Sequence, residues 1–148
     1  MISILQILES VEAKILSVYP NAAQYIDICP EQFERPAFLV ERVTNSRRDV
    51  NFNTIQMTEY FTITCFAEVD RRNHSSVLEL LEIQEKITDL FRCGYLTVGD
   101  RAVRVTASSG GRDFDQAYVD IQLEYSEERE KLQEKELIDE ISVDIKGE

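Results

Sequence analysis

Four carboxylates, Asp113, Asp115, Asp120 and Glu124, crowd into one short stretch of the sequence. A magnesium-dependent nuclease would need such groups to converge on one cation from different elements. Asp120 and Glu124 instead share the parity of one alternating stretch, and Asp113 and Asp115 fall in a polar loop. An ordinary solvated edge accounts for them better than a metal site. The single histidine, His74, lies just ahead of a helix with no marked orienting group or oxyanion donor for nucleophilic chemistry. Together with Cys29, Cys65 and Cys93 it lacks the C-x-x-C spacing of a zinc site, and Cys65 falls on the dry side of a strand. Gly110-Gly111 lacks the Lys-Ser/Thr of a phosphate loop and reads as a plain turn. No catalytic, metal or cofactor site is expected.

The elements that carry these residues fit one domain of 148 residues with an adequate core, at 43% hydrophobic and 30% charged. A net charge of −12 disfavours gripping nucleic acid, because phosphate binding needs clustered Lys and Arg. Only Arg47-Arg48 and Arg71-Arg72 are paired, both in expected loops. Three widely spaced cysteines do not make a secreted disulfide framework, and the acidic N-terminus is neither a signal peptide nor a span. The sequence thus points to a protein folding in a reducing cytoplasm with no membrane partner.

Residues 2–18 read as a helix with Ile4, Leu8, Val11, Ile15 and Val18 as its apolar stripe, stopped at Tyr19-Pro20. A short strand over 24–29 and its partner over 37–43 follow, and then a polar turn over 44–49. From 53 to 69, Ile55, Met57, Phe61, Ile63, Cys65, Ala67 and Val69 share one parity, broken by Glu59. The other parity is Thr-rich, broken by Phe66. A strand of that length would reach roughly 50 Å, so its first half should project from the body or pair with a neighbour unless a bend near Glu59 shortens it. The second helix spans 75–92, with Ser76 and Glu79 as a capping box, Val77, Leu80, Leu81, Ile87, Leu90 and Phe91 as its stripe, and Gly94 closing it.

Strands over 95–98 and 101–107 are joined at Gly99-Asp100; a polar loop spans 108–115. In the last core strand Ala117, Val119, Ile121, Leu123 and Tyr125 face inward. The order α-β-β-β-α-β-β-β implies an α+β fold, an antiparallel-rich mixed sheet with both helices on one face. Residues 1–125 are read as the domain and 126–148 as a charged C-terminal extension. Residues 126–136 suit a helix with a Glu127–Lys131 pair, and Ile141, Val143 and Ile145 alternate again. That extended acidic arm is either a frayed terminus or a strand added to another subunit's sheet edge.

Tyr19-Pro20, Tyr25, Glu31-Gln32-Phe33 and Arg35-Pro36-Ala37-Phe38-Leu39-Val40, in this order of elements, resemble the tail terminator (tail completion) proteins of phages and phage-tail-like particles of Gram-positive bacteria. The resemblance covers about residues 2–125. It departs at Ala37, small where a bulky residue is usual, and in the extension to Glu148. It implies a hexameric ring on the head-proximal end of a tail tube, assembled in the host cytoplasm and residing in the virion tail. The ring would end tube polymerisation and meet a neck or connector protein, or the sheath where the tail contracts. DNA would pass an acidic lumen without being gripped. Closing a ring needs heterologous contacts, for which the unpaired end of the long strand would supply an edge. Candidate interface residues are Ile55, Met57, Tyr60 and Phe66 on that strand, Arg112 and Phe114 in the 108–115 loop, and Ile141, Val143 and Ile145 in the arm. Tyr60 and Phe66 would equally suit packing under a loop of their own subunit. A head–tail connector and, in a different class, a nuclease using Asp113, Asp115 and Asp120 are the alternatives.

Overall fold

The computed structural model describes residues 2–26, 34–69, 75–113 and 115–128. The expectations for Cys29, His74, Phe114 and the arm from residue 129 onward, with Ile141, Val143 and Ile145, lie outside the described residues. Elements follow the expected order: α1 (Ile4–Leu16), β1 (Ala23–Ile26), β2 (Ala37–Asp49), β3 (Thr54–Phe66), α2 (Val77–Leu90), β4 (Tyr95–Val98), β5 (Arg101–Asp113) and β6 (Gln116–Glu128).

Six strands form one mixed sheet in the order β1-β2-β3-β6-β5-β4. Only β1 and β2 run parallel; the other neighbours are antiparallel. Both helices cover one face, because Ile7, Val11 and Ile15 of α1 and Leu80, Ile83 and Ile87 of α2 join Phe61, Ile63, Val119, Ile121 and Leu123 in a single core cluster. The fold is α+β.

Ser3 caps α1 through a capping box, its Oγ accepting from the Gln6 amide while the Gln6 side chain accepts from the Ser3 amide. The buried stripe of α1 is Ile7, Val11 and Ile15, whereas Ile4 and Val18 are exposed, so the stripe is rotated from the expected one. In α2 the Ser76 side chain makes no cap bond, and Val77 and Leu81 are exposed while Gln84 and Thr88 are buried. Gly94 ends the helical segment at φ +90°, a conformation that favours glycine.

Three expectations for the strands are corrected. Residues 44–49 continue β2 instead of turning, with the β2–β3 turn at 50–53. The 108–115 loop is replaced by β5 running to Asp113, with Gly110-Gly111 forming a β-bulge opposite Tyr118. Residues 126–128 continue β6 rather than starting a helix.

Candidate functional site

The carboxylates singled out in the sequence are each occupied or dispersed. Asp115 pairs with Arg35 at 2.6 Å, and the same guanidinium donates to the Ala67 carbonyl and lies over Phe66. Arg35 thereby ties the lead-in to β2, the end of β3 and the start of β6 together. Asp120 accepts from Thr62 Oγ1 at 2.8 Å, and Glu124 accepts from Gln122 at 2.7 Å. Asp120 and Glu124 do share the helix-free face, opposite Thr62 and Thr58 of β3. Among the described residues no group of three or more His, Cys, Asp or Glu is placed to hold a metal ion. Burial raises the Cys65 thiol to about 12, so it is a protonated core side chain, whereas Cys93 is exposed.

Glu59, the parity exception of β3, is explained by the core-facing side of the sheet. Its carboxylate is buried and accepts two bonds from Arg42, from Nε at 2.9 Å and from Nη2 at 3.1 Å. Glu127, expected to pair with Lys131, instead lies buried on β6, where it pairs with Arg101 at 3.0 Å and accepts from the Ile2 amide at 2.8 Å. That triad pins the start of α1 to the end of the sheet. Around it, burial raises the Tyr125 hydroxyl pKa, and Glu59 and Glu127 push it the same way.

Gln84 was not singled out from the sequence. Its buried amide nitrogen donates to the carbonyls of Gly110 (3.0 Å), Gly111 (3.2 Å) and Tyr118 (2.9 Å), locking the bulge of β5 onto α2. Thr88 adds a hydroxyl contact to Ser109. The signal available was a polar residue inside an apolar stripe, between Ile83 and Ile87. A methyl added at Gly110 would meet the Tyr118 Cβ at 3.0 Å and an Asp120 carboxylate oxygen at 3.1 Å, so glycine permits the strands to close here.

Besides the outer edge of β5 beyond Arg104, with which no strand pairs among the described residues, two features of the sheet remain accessible. One is its helix-free face, where Thr58, Tyr60 and Thr62 of β3 stand beside Gln122, Glu124 and Asp120 of β6. On this face Ala37, Leu39 and Phe66 form a small second cluster with Ala23 and Tyr25. The other is the outer edge of β2. β1 pairs only with Ala37–Val40, and among the described residues no strand pairs with that edge from Glu41 to Asp49. β3, whose end was expected to be unpaired, is flanked along its whole length by β2 and β6. In this half of the sheet the open edge therefore belongs to β2, not β3. Val43, the bulge residue of β2, is 63% exposed, and Val50 and Phe52 at the hairpin tip are also exposed.

The named interface candidates distribute accordingly. Ile55 and Phe66 are buried within the subunit, at 2% and 5% exposure, Phe66 in the second cluster. Met57 is half-buried against the main core, Tyr60 is half-buried on the helix-free face, and Arg112 is exposed at the end of β5.

What the surface offers is a long sheet edge and a hydroxyl- and amide-rich sheet face, and these define a small α+β protein of the kind that contacts other proteins. The chain matches the model of the phage tail terminator protein family over residues 6–136 and belongs to that family. Membership gives it a structural role in tail assembly, as a component of the virion tail that interacts with other tail proteins. No curated protein matches the chain. No helix among the described residues is long and apolar enough to cross a membrane.

Proposed function

We propose that the protein assembles into a ring of identical copies, hexameric as the family resemblance implies, on the head-proximal end of a tail tube. It ends tube polymerisation there and presents a surface to the neck or connector protein, or to the last sheath ring of a contractile tail. It assembles in the host cytoplasm and performs no chemical step. The observation that carries this reading is the β2 edge from Glu41 to Asp49, left without a strand neighbour among the described residues of a tail terminator family member. A ring of identical copies needs two different complementary surfaces on each copy, and an open edge is one such surface.

Met57, Tyr60 and Arg112 are the accessible interface candidates from the named set, and the segment holding Ile141, Val143 and Ile145 supplies another. Ile55 and Phe66 contribute by fixing the shape of β3 from inside. Residues 126–128 belong to β6. The net charge of −12 keeps a ring lumen from retaining DNA as it passes.

The test combines light scattering with a tube-growth assay. A hexamer of the 17.1 kDa chain has a mass of about 103 kDa. Adding the protein to growing tubes should arrest elongation and leave one ring per tube. A protein that stays monomeric beside purified tubes and leaves their length distribution unchanged contradicts the reading.

A further inference from the structure

The open edge of β2 has a charge character opposite to that of the chain as a whole. From Val43 to Arg48 it carries Arg47 and Arg48 and no carboxylate, on a chain of net charge −12. All six residues are exposed. Arg48 donates to the neutral Gln56 side chain at 2.8 Å, so its charge is not cancelled by that contact. Exposed apolar side chains lie along the same margin, at Val43 on the edge and at Val50 and Phe52 on the tip.

The other sheet margins differ. β1 and β4 have four residues each. β5 has no strand neighbour on its outer side beyond Arg104 among the described residues, but its ladder is interrupted by the Gly110-Gly111 bulge. The margin of β2 from Thr44 to Asp49 has no such interruption in its ladder.

The sequence beyond the folded sheet has the complementary character. Residues 137–145, Leu-Ile-Asp-Glu-Ile-Ser-Val-Asp-Ile, carry Asp139, Glu140 and Asp144 and no Lys or Arg. Ile141, Val143 and Ile145 alternate with Ser142 and Asp144, the period of a strand with one apolar side. Nine residues match the span from Glu41 to Asp49 one for one. The last described residue of β6, Glu128, pairs with Thr54 beside the β2–β3 hairpin tip. The eight residues 129–136 span at most about 26–29 Å.

We infer that residues 137–145 of each copy add as a strand to the outer edge of β2 on the neighbouring copy, with the acidic residues held by Arg47 and Arg48. The inference rests on the ring proposed above, and it names the two halves of that ring's heterologous contact: a donated acidic strand and a basic acceptor edge. Backbone pairing supplies the affinity. The charge pattern keeps the donor off the remaining, predominantly acidic surface.

Disulfide trapping tests it in the full-length protein. One preparation carries Asn45→Cys, the other Val143→Cys, both on a Cys29→Ser/Cys93→Ser background that leaves only the buried Cys65. Mixing them under mild oxidation at assembling concentration should give a heterodimer band that reducing agent removes. Ending the chain after Glu136, or the double substitution Arg47→Glu/Arg48→Glu, should raise the concentration for half-assembly about tenfold or more. Arg104→Glu, which reverses an exposed charge on β5, should leave it unchanged. If the doubly substituted Asn45→Cys/Val143→Cys chain closes only on itself and no intermolecular band forms, the donor acts within one copy and the inference is overturned. If rings form with unchanged concentration dependence after truncation, the inference is overturned while the ring stands. If the unmodified protein forms no ring on tubes, the ring reading itself fails.

Discussion

Gln84→Leu isolates the contribution of one buried amide to the shape of the sheet. Leucine nearly matches glutamine in volume, so α2 keeps its packing, and the Thr88 hydroxyl keeps its bond to the residue 84 carbonyl. What is lost is the NH2 group that serves the Gly110, Gly111 and Tyr118 carbonyls. Its two protons satisfy three acceptors, so at least one bond is shared. Each buried carbonyl left without a partner costs about 1–3 kcal/mol. Gly111 is exposed and water replaces its bond, and because Gly110 and Tyr118 are only half-buried the total for the remaining two falls in the lower part of the range, at about 2–4 kcal/mol. In a chain of this size that lowers Tm by about 4–16 °C. Urea unfolding followed by circular dichroism measures the free energy, and hydrogen exchange at Gly110–Arg112 reports whether the bulge loosens locally. A loss below about 0.5 kcal/mol, with native exchange at the bulge, would refute the assignment of Gln84 as its anchor.

Other substitutions probe the remaining polar joints. Arg42→Ala leaves the buried Glu59 carboxylate without its partner and should cost about 2–3 kcal/mol, below the range for fully buried pairs because Arg42 is 40% exposed; Arg42→Ala/Glu59→Gln should recover part of it in the same urea titration. Asp115→Ala removes a largely buried, charge-assisted partner of Arg35 and should cost about 1–2 kcal/mol by thermal unfolding. Iodoacetamide at pH 8 should modify Cys93 and spare Cys65, whose thiol titrates at about 12, until denaturant is added; peptide mass mapping reads the outcome. Burial first, and the nearby Glu9 second, raise the Glu12 pKa, so its carboxylate disfavours the folded state above that folded pKa. Glu12→Gln should therefore raise the urea midpoint at neutral pH, and the gain should disappear below about pH 4, where the unfolded chain's glutamate is also protonated.

The sequence was most legible where burial on one face imprints a period. All five inward residues of β6, from Ala117 to Tyr125, are buried, and the order of elements followed from such patterns. Residues 44–49 were missed because that half of β2 is exposed on both faces; backbone pairing to β3 holds it, and backbone pairing leaves no trace in side-chain alternation. Gly110-Gly111 looked like a turn because glycine marks bulges and turns alike. Glu59 and Glu127 looked like ordinary polar residues, and only their distant partners, Arg42 and Arg101, explain their burial. For the same reason the site was displaced by one strand. Periodicity identified β3 as unusually long, but the arrangement of neighbours that moves the open margin to β2 is a tertiary fact.

Hydrogen exchange of the free and tube-bound protein, resolved over residues 42–49, tests the account at its centre. In the free protein the amides on the outer side of β2 should exchange fast while those bonded to β3 exchange slowly. In the assembled ring the fast set should slow by about tenfold or more, with the β6 amides unchanged. A ring in which that margin exchanges as rapidly as in the free chain would contradict the assignment of β2 as the subunit contact.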